Sequence, residues 1–141
     1  MFFGQNRDQL RRFYLEAWRK FQQQEPLQPL EAMIGEVIAQ HPEYHALLQD
    51  EEKALAQEFS AESGQSNPFM HMGMHLGLRE QLATRRPAGI ETVYERLAKR
   101  LGDAHEAEHL MMECLGQAMW QAQQTGIPPN EEHYLECLQR L

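Results

Sequence analysis

Six of the seven histidines form three pairs in which the second histidine follows the first by four residues. Seven histidines placed at random in 141 residues would give fewer than one such pair on average. Residues four apart on a helix lie on one face, with Cβ atoms about 5–6 Å apart, so two imidazoles of a pair can contact one metal ion. The spacing therefore predicts helices that carry metal ligands. The pairs are His41 with His45, His71 with His75, and His105 with His109.

Carboxylates extend two of these pairs. Glu113 follows His109 by four residues, and Glu80 follows His75 by five. Imidazoles with carboxylates suit iron, zinc, manganese or nickel better than calcium or magnesium. Glu108 is a reserve ligand, and His133 is predicted to be solvated. The predicted metal ligands are His41, His45, His71, His75, Glu80, His105, His109 and Glu113.

The histidines are expected to face the core of a helical bundle, because residues at helical spacing from each pair extend it into a stripe along one face of the helix. A buried polar group without a partner costs a few kcal/mol, and one shared metal ion would satisfy several of them. Gly73 and Gly77 lie within one turn of a helix, where glycine costs about 1 kcal/mol relative to alanine, so we expect a very close neighbour there. The stripe on the helix predicted over residues 103–124 comprises His105, His109, Glu113, Gly116 and Trp120.

The elements that position these residues are predicted to be helices, since apolar residues recur at three- and four-residue steps between capping signals. No segment has the alternation of a strand. The fold class is therefore all-α, a single antiparallel helical bundle of four core helices with short extra helices, in one domain over residues 1–141. Helices are predicted over residues 7–22, 30–39, 42–59, 68–83, 90–101, 103–124 and after Asn130, with a polar loop at 60–66.

Composition excludes several classes of protein. The formal charge of −8 argues against nucleic-acid binding, which relies on basic residues. A transmembrane segment needs about 20 consecutive apolar residues, and none is present. The N-terminus has no apolar signal core, and two cysteines, Cys114 and Cys137, are too few for a disulfide framework. These features favour a reduced compartment and a cytoplasmic location.

The second class of function is a non-catalytic helical interaction module, with metal absent or purely structural. Phe2, Phe3 and Trp18 belong to an aromatic stripe of the N-terminal helix, and basic residues occupy another face of the same helix. This stripe would dock a partner or a membrane surface. Packing of this stripe onto the bundle is the favoured interpretation. Enzyme activity stays open, because no phosphate loop or nucleophile motif is present and only an open metal position would support a reaction. A homodimer is also left open.

Four segments together resemble a family of small proteobacterial proteins that is catalogued as a domain of unknown function. The resemblance extends over nearly the whole chain and implies no activity. The segments are His41-Pro-Glu-Tyr-His45, Asn67-Pro-Phe-Met-His71 continued through His75 to Glu80-Gln81, Arg86-Pro-Ala-Gly-Ile90, and His105-x3-His109-x2-Met112-Glu113.

A looser resemblance is to hemerythrin-like di-iron bundles, which combine His-x3-Glu, His-x3-His and His-x4-Asp motifs. Similar motifs here are His109-x3-Glu113, His71-x3-His75 or His105-x3-His109, and His75-x4-Glu80, although the order differs and the last carboxylate is glutamate. DinB-type bundles with three histidines are equally distant. Our hypothesis is a dinuclear iron centre, with zinc or manganese as alternatives, in which Glu113 and Glu80 bridge the ions. Its role would be oxygen-linked or redox, with dioxygen or a small molecule as substrate.

Overall fold

The protein is mainly helical in the part of the chain that the computed structural model describes, residues 2–59 and 67–141. No strand occurs in these two ranges, so the all-α prediction is confirmed, while the four-helix bundle arrangement stays a prediction. The predicted loop at 60–66 lies outside the described residues. The helices are α1 (Phe2–Gln22), α2 (Pro29–Ala39), α3 (His45–Gln49), α4 (Glu51–Ala56), α5 (Pro68–Thr84), α6 (Ile90–Leu101), α7 (Ala104–Thr125) and α8 (Glu131–Gln139), with a 3₁₀ turn at Pro42–Tyr44.

Two compact units make up the chain, Met1–Gly73 and Met74–Leu141. The boundary falls inside α5, so the first turns of this helix belong to the first unit and the rest belong to the second. The prediction of a single domain stays a prediction. None of the described helices is both long enough and apolar enough to cross a membrane.

Most helix ends lie within two residues of the predicted positions, but the predicted helix over 42–59 is wrong. Asp50 has an extended backbone, with φ −111° and ψ 94°, and it separates α3 from α4. Its side chain accepts a hydrogen bond from the backbone N–H of Lys53 at 3.1 Å, which caps α4. Glu51 and Glu52 follow in the first turn, where the helix dipole favours negative charge. This Asp-Glu-Glu run is the sequence signal for the break.

The core of the first unit forms where α1 packs against α2. Trp18 is buried there, so it belongs to the core of this unit and not to an exposed docking stripe. The side chains of Phe2 and Phe3 lie outside the described residues. Arg11 anchors α4, because its guanidinium donates to the carbonyls of Ala54 and Gln57 at 3.0 and 2.8 Å. The buried residues of the α1–α2 interface are Tyr14, Ala17, Trp18, Ile34, Val37 and Ile38.

One glycine permits the close approach of α1 and α2. A Cβ atom on Gly35 would overlap the ring of Phe21 and would lie only 2.8 Å from the Cβ atom of that residue. The close approach predicted at Gly73 and Gly77 is wrong, because a Cβ there would make ordinary contacts of 3.7 Å with the Tyr14 hydroxyl and 3.9 Å with Leu115. Gly35 is therefore the position of α2 at which the packing against α1 requires glycine.

We expect Gly35→Ala to lower the free energy of unfolding by about 1–3 kcal/mol, because the added methyl group overpacks the interface with Phe21. Urea denaturation followed by far-ultraviolet circular dichroism measures this change. Gly77→Ala is the matched control, and we expect it to raise stability by roughly 0.5–1 kcal/mol, since alanine is the better helix former and the space is available. Equal effects at the two positions would contradict this account.

The second unit has its own apolar core between α6, α7 and α8. Tyr134 of α8 also donates a hydrogen bond from its hydroxyl to Oε1 of Gln81 on α5, at 2.6 Å. Cys114 of α7 and Cys137 of α8 form a disulfide bond, with Cα atoms 5.8 Å apart, so the expectation of two reduced cysteines is wrong for this structure. The buried core residues are Leu78, Ile90, Val93, Leu97, Ala107, Met111, Met112, Cys114, Tyr134 and Leu138.

Candidate metal centre

A buried histidine–carboxylate pair lies in the second unit, where α5 supplies His75 and α7 supplies Glu108. His75 is 0% exposed, and its Nδ1 lies 2.7 Å from Oε1 of Glu108. An ionised carboxylate only accepts hydrogen bonds, so Nδ1 of His75 carries the donated proton. In the neutral ring the lone pair is then on Nε2, the atom that can bind a metal ion.

Glu108 stays ionised despite its burial. Burial by itself would raise its pKa, but the hydrogen bond from His75 and the positive charge of Arg79 outweigh burial, and the pKa of Glu108 is lowered. Nε of Arg79 lies 3.3 Å from the same Oε1 atom. The negative charge that holds His75 is therefore itself fixed by a second partner.

Two further histidines of α7 complete a group of three imidazoles. The ring centroid of His75 lies 4.9 Å from that of His105 and 5.0 Å from that of His109. The rings of His105 and His109 are 4.3 Å apart and meet edge to face. One ring nitrogen from each histidine can be chosen so that all three lie within 4.8 Å of one another. We call His75, His105 and His109 the imidazole group.

His109 repeats the arrangement of His75 in a weaker form. Its Nδ1 lies 3.5 Å from Oε1 of Glu106, one turn earlier on α7, while its Nε2 is buried. Glu106 is exposed, so water screens this interaction more than the buried pair of His75. A carboxylate on the outer nitrogen of a histidine is the usual partner of a metal-binding imidazole, because it orients the ring and raises its basicity.

The buried face of α7 differs from the predicted one. Trp120 is 60% exposed and Glu113 is exposed, so the prediction that this stripe faces the core is wrong. The core takes the face with Met111 and Met112, and His105 and His109 lie half-buried at its edge. Glu108 is three and four residues before these methionines, and this spacing is the signal that favours Glu108 over Glu113. Glu80 is also exposed, and neither Glu80 nor Glu113 joins the imidazole group.

The first histidine pair lies at the C-terminal end of α2. Nδ1 of His41 is 2.7 Å from the carbonyl oxygen of Val37, and Nε2 of His45 is 2.9 Å from that of Ile38. These carbonyls belong to the last turn of the helix, where they also accept the backbone N–H groups of Gln40 and His41. The His45 ring also contacts Trp18, at a centroid distance of 4.8 Å. This pair therefore caps α2 and packs in the first unit.

His71 lies in the part of α5 that belongs to the first unit, and its ring meets that of His41 edge to face at 5.0 Å. His41 also stacks on Tyr44, with centroids 5.2 Å apart. The prediction that all three histidine pairs share one metal centre stays a prediction. His133 is exposed near the start of α8, as expected for a solvated histidine.

Comparison with known proteins gives a family without a known activity. The family model described as "Domain of unknown function (DUF1841)" matches residues 6–140. No curated protein and no solved structure matches the chain significantly, and the looser resemblance to hemerythrin-like bundles is therefore not supported by a comparison.

Proposed function

The chain belongs to DUF1841, a family of unknown function, and from the geometry of its second unit we propose that it binds a transition-metal ion. The ligands would be the imidazole group, His75, His105 and His109. The observation that carries the proposal is that three imidazole nitrogens lie within 4.8 Å of one another while Glu108 holds Nδ1 of His75. Glu108 and Glu106 would not bind the ion themselves, but would orient the rings of His75 and His109 and raise their basicity.

The distances fit an ion after a small adjustment. Metal–imidazole bonds of about 2.0–2.1 Å bring two nitrogens on one tetrahedral ion to about 3.3 Å apart. Binding would therefore draw the three rings closer, which rotations about the side-chain bonds of the half-buried His105 and His109 allow. Imidazole ligands suit zinc, iron, copper and nickel.

One ion is favoured over two. A dinuclear centre of the kind proposed from the sequence needs carboxylates that bridge, and both predicted bridging residues, Glu80 and Glu113, are exposed and lie outside the imidazole group. Glu108 is occupied by His75 and Arg79. The dinuclear iron centre is kept as the second form of the proposal, to be distinguished by metal stoichiometry.

Three protein ligands leave a coordination position for water or another molecule, which is the ligand number of catalytic metal sites. A metal bound in this way could support an oxygen-linked or hydrolytic reaction. The other ligands expected from the sequence, His41, His45 and His71 among them, stay predictions for the same centre.

Metal content tests the proposal directly. We expect protein from iron- and zinc-replete medium to contain about one transition-metal ion per chain, and apoprotein to bind one equivalent of Co²⁺ with the visible bands of a histidine-coordinated ion. An ultraviolet–visible spectrum under reduced and aerated conditions separates iron from zinc. Two ions per chain would favour the dinuclear form. Metal-free protein that binds no Co²⁺, Zn²⁺ or Fe²⁺ would overturn the proposal and leave the Glu108–His75 pair as a structural contact.

A further inference from the structure

The disulfide bond of the second unit forms one wall of a polar cavity of about 300 Å³ between α7 and α8. Its two cysteines both line the cavity but differ in burial. Cys114 is 2% exposed and belongs to the apolar core, whereas Cys137 is half-buried, and its Sγ lies 3.8 Å from Oε1 of Gln117 at the cavity. A molecule in the cavity therefore reaches Cys137 more easily than Cys114.

Polar side chains make up most of the rest of the cavity lining. Gln117 and Gln121 offer amide groups that can pair with the peptide groups of a ligand, and Asn130, whose oxygen caps α8, offers its amide NH₂. Glu136 and Arg140 lie at the same cavity as an exposed ion pair, 3.9 Å apart. This lining and volume suit a small polar molecule with amide bonds and both signs of charge.

We propose that this cavity is a thiol–disulfide exchange site for a small peptidic thiol and that Cys137 is the sulfur attacked. The thiolate of the small molecule bonds to Sγ of Cys137, the Cys114–Cys137 bond breaks, and Cys114 leaves as a thiolate that takes up a proton. A second small thiol attacks the mixed disulfide and releases the oxidised small molecule. The two small thiols are thus oxidised to one disulfide, and the protein disulfide is reduced to two thiols.

The exchange can proceed without the loss of α8, because other contacts also hold this helix. Leu138 is 0% exposed in the core, and the hydroxyl of Tyr134 donates to Gln81. Near the end of the chain, Arg100 donates to the carbonyl oxygen of Leu141 at 2.8 Å. Cys114 and Cys137 therefore stay close after reduction, and the reaction can run in both directions with the redox state of the small thiol.

Two single-cysteine variants test which sulfur reacts. We expect folded Cys114→Ser, which keeps Cys137, to form a mixed disulfide with glutathione disulfide at least about 10-fold faster than folded Cys137→Ser, which keeps Cys114. Mass spectrometry of the intact protein measures both rates. In denaturant the rates should become similar, since the difference depends on burial. Equal rates in the folded proteins, or a faster Cys114, would overturn the proposal.

The wild-type protein gives an independent test if a variant does not fold. Oxidised protein is treated with reduced glutathione, its free thiols are trapped with excess N-ethylmaleimide, and the protein is digested with trypsin. Both cysteines lie in one tryptic peptide, because no lysine or arginine occurs between Leu101 and Gln139, so fragmentation must locate the adduct. We expect glutathione on Cys137 and the maleimide-trapped thiol on Cys114. An adduct on Cys114, or no adduct unless the protein is unfolded, would contradict the proposal.

Recognition by the cavity is tested with a bulky substitution at its exposed edge. In the Cys114→Ser background, we expect Gln121→Trp to slow the reaction of Cys137 with glutathione disulfide by about 5-fold or more. The reaction with hydroxyethyl disulfide should stay nearly unchanged, because this smaller disulfide does not need the amide-lined space. Equal effects on the two disulfides would show that the reaction rate depends only on the exposure of Cys137. That result would overturn the proposal that the cavity recognises a peptidic thiol.

Discussion

His75→Ala and His109→Ala should each lower the affinity of the protein for its transition metal by at least about 100-fold, or roughly 2.7 kcal/mol of binding free energy. Each variant removes one of three imidazole ligands, and the remaining two cannot hold an ion as tightly at neutral pH. His75→Ala also leaves Glu108 with Arg79 as its partner. Competition with a chromogenic chelator measures the affinity of apoprotein for Zn²⁺ or Co²⁺.

His133→Ala is the matched control, because His133 is exposed and lies outside the imidazole group. It should bind metal as the wild type does. Circular dichroism must show that each variant is folded, since a misfolded His75→Ala would lose metal for another reason. Folded His75→Ala and His109→Ala with wild-type affinity would rule out the imidazole group as the site. His41→Ala tests in the same assay whether the first histidine pair supplies a ligand.

Glu108→Gln distinguishes a positioning residue from a ligand. It keeps the shape of the side chain but removes the charge that orients His75, and losses of such partners weaken metal binding by about 10–100-fold. We expect a smaller loss of affinity than for His75→Ala, together with an unchanged metal stoichiometry. A loss as large as that of the histidine variants would instead indicate direct coordination by Glu108.

The sequence predicted most of the helices well, for a physical reason. Helical spacing and caps are local signals, so α5, α6 and α7 begin and end within about two residues of the expected positions. The spacing of His105 and His109 on one helix likewise fixes their proximity. Local patterns thus predict which side chains share a helix face.

The carboxylate partner could not be chosen in the same way, because it depends on contacts between helices. Glu113 continues the histidine spacing along α7, but Glu108 lies 33 residues from His75 and meets it only after α5 packs near α7. Gly35 is a parallel case, because a side chain at this position is excluded by Phe21, which belongs to another helix. The Cys114–Cys137 bond also joins two helices, and the count of cysteines alone pointed to reduced thiols.

Reduction of the Cys114–Cys137 bond should lower the free energy of unfolding by about 3 kcal/mol, which is the loop-closure value for a bridge between residues separated by 23 positions. The bond restricts the unfolded chain more than it changes the folded one, because Tyr134 and Leu138 keep α8 in the core. Urea denaturation of the apoprotein with and without a phosphine reductant measures the difference.

Cys137→Ala is the control, since it cannot form the bond and its stability should not respond to the reductant. Cys137 is half-buried, so its replacement removes little core packing, whereas a change at Cys114 would add a cavity to the core and confuse the comparison. If wild-type and Cys137→Ala proteins respond alike, the bond does not restrict the unfolded chain. If only the wild type loses stability, and by about 3 kcal/mol, the bridge between α7 and α8 is a stabilising element that a reductant can remove.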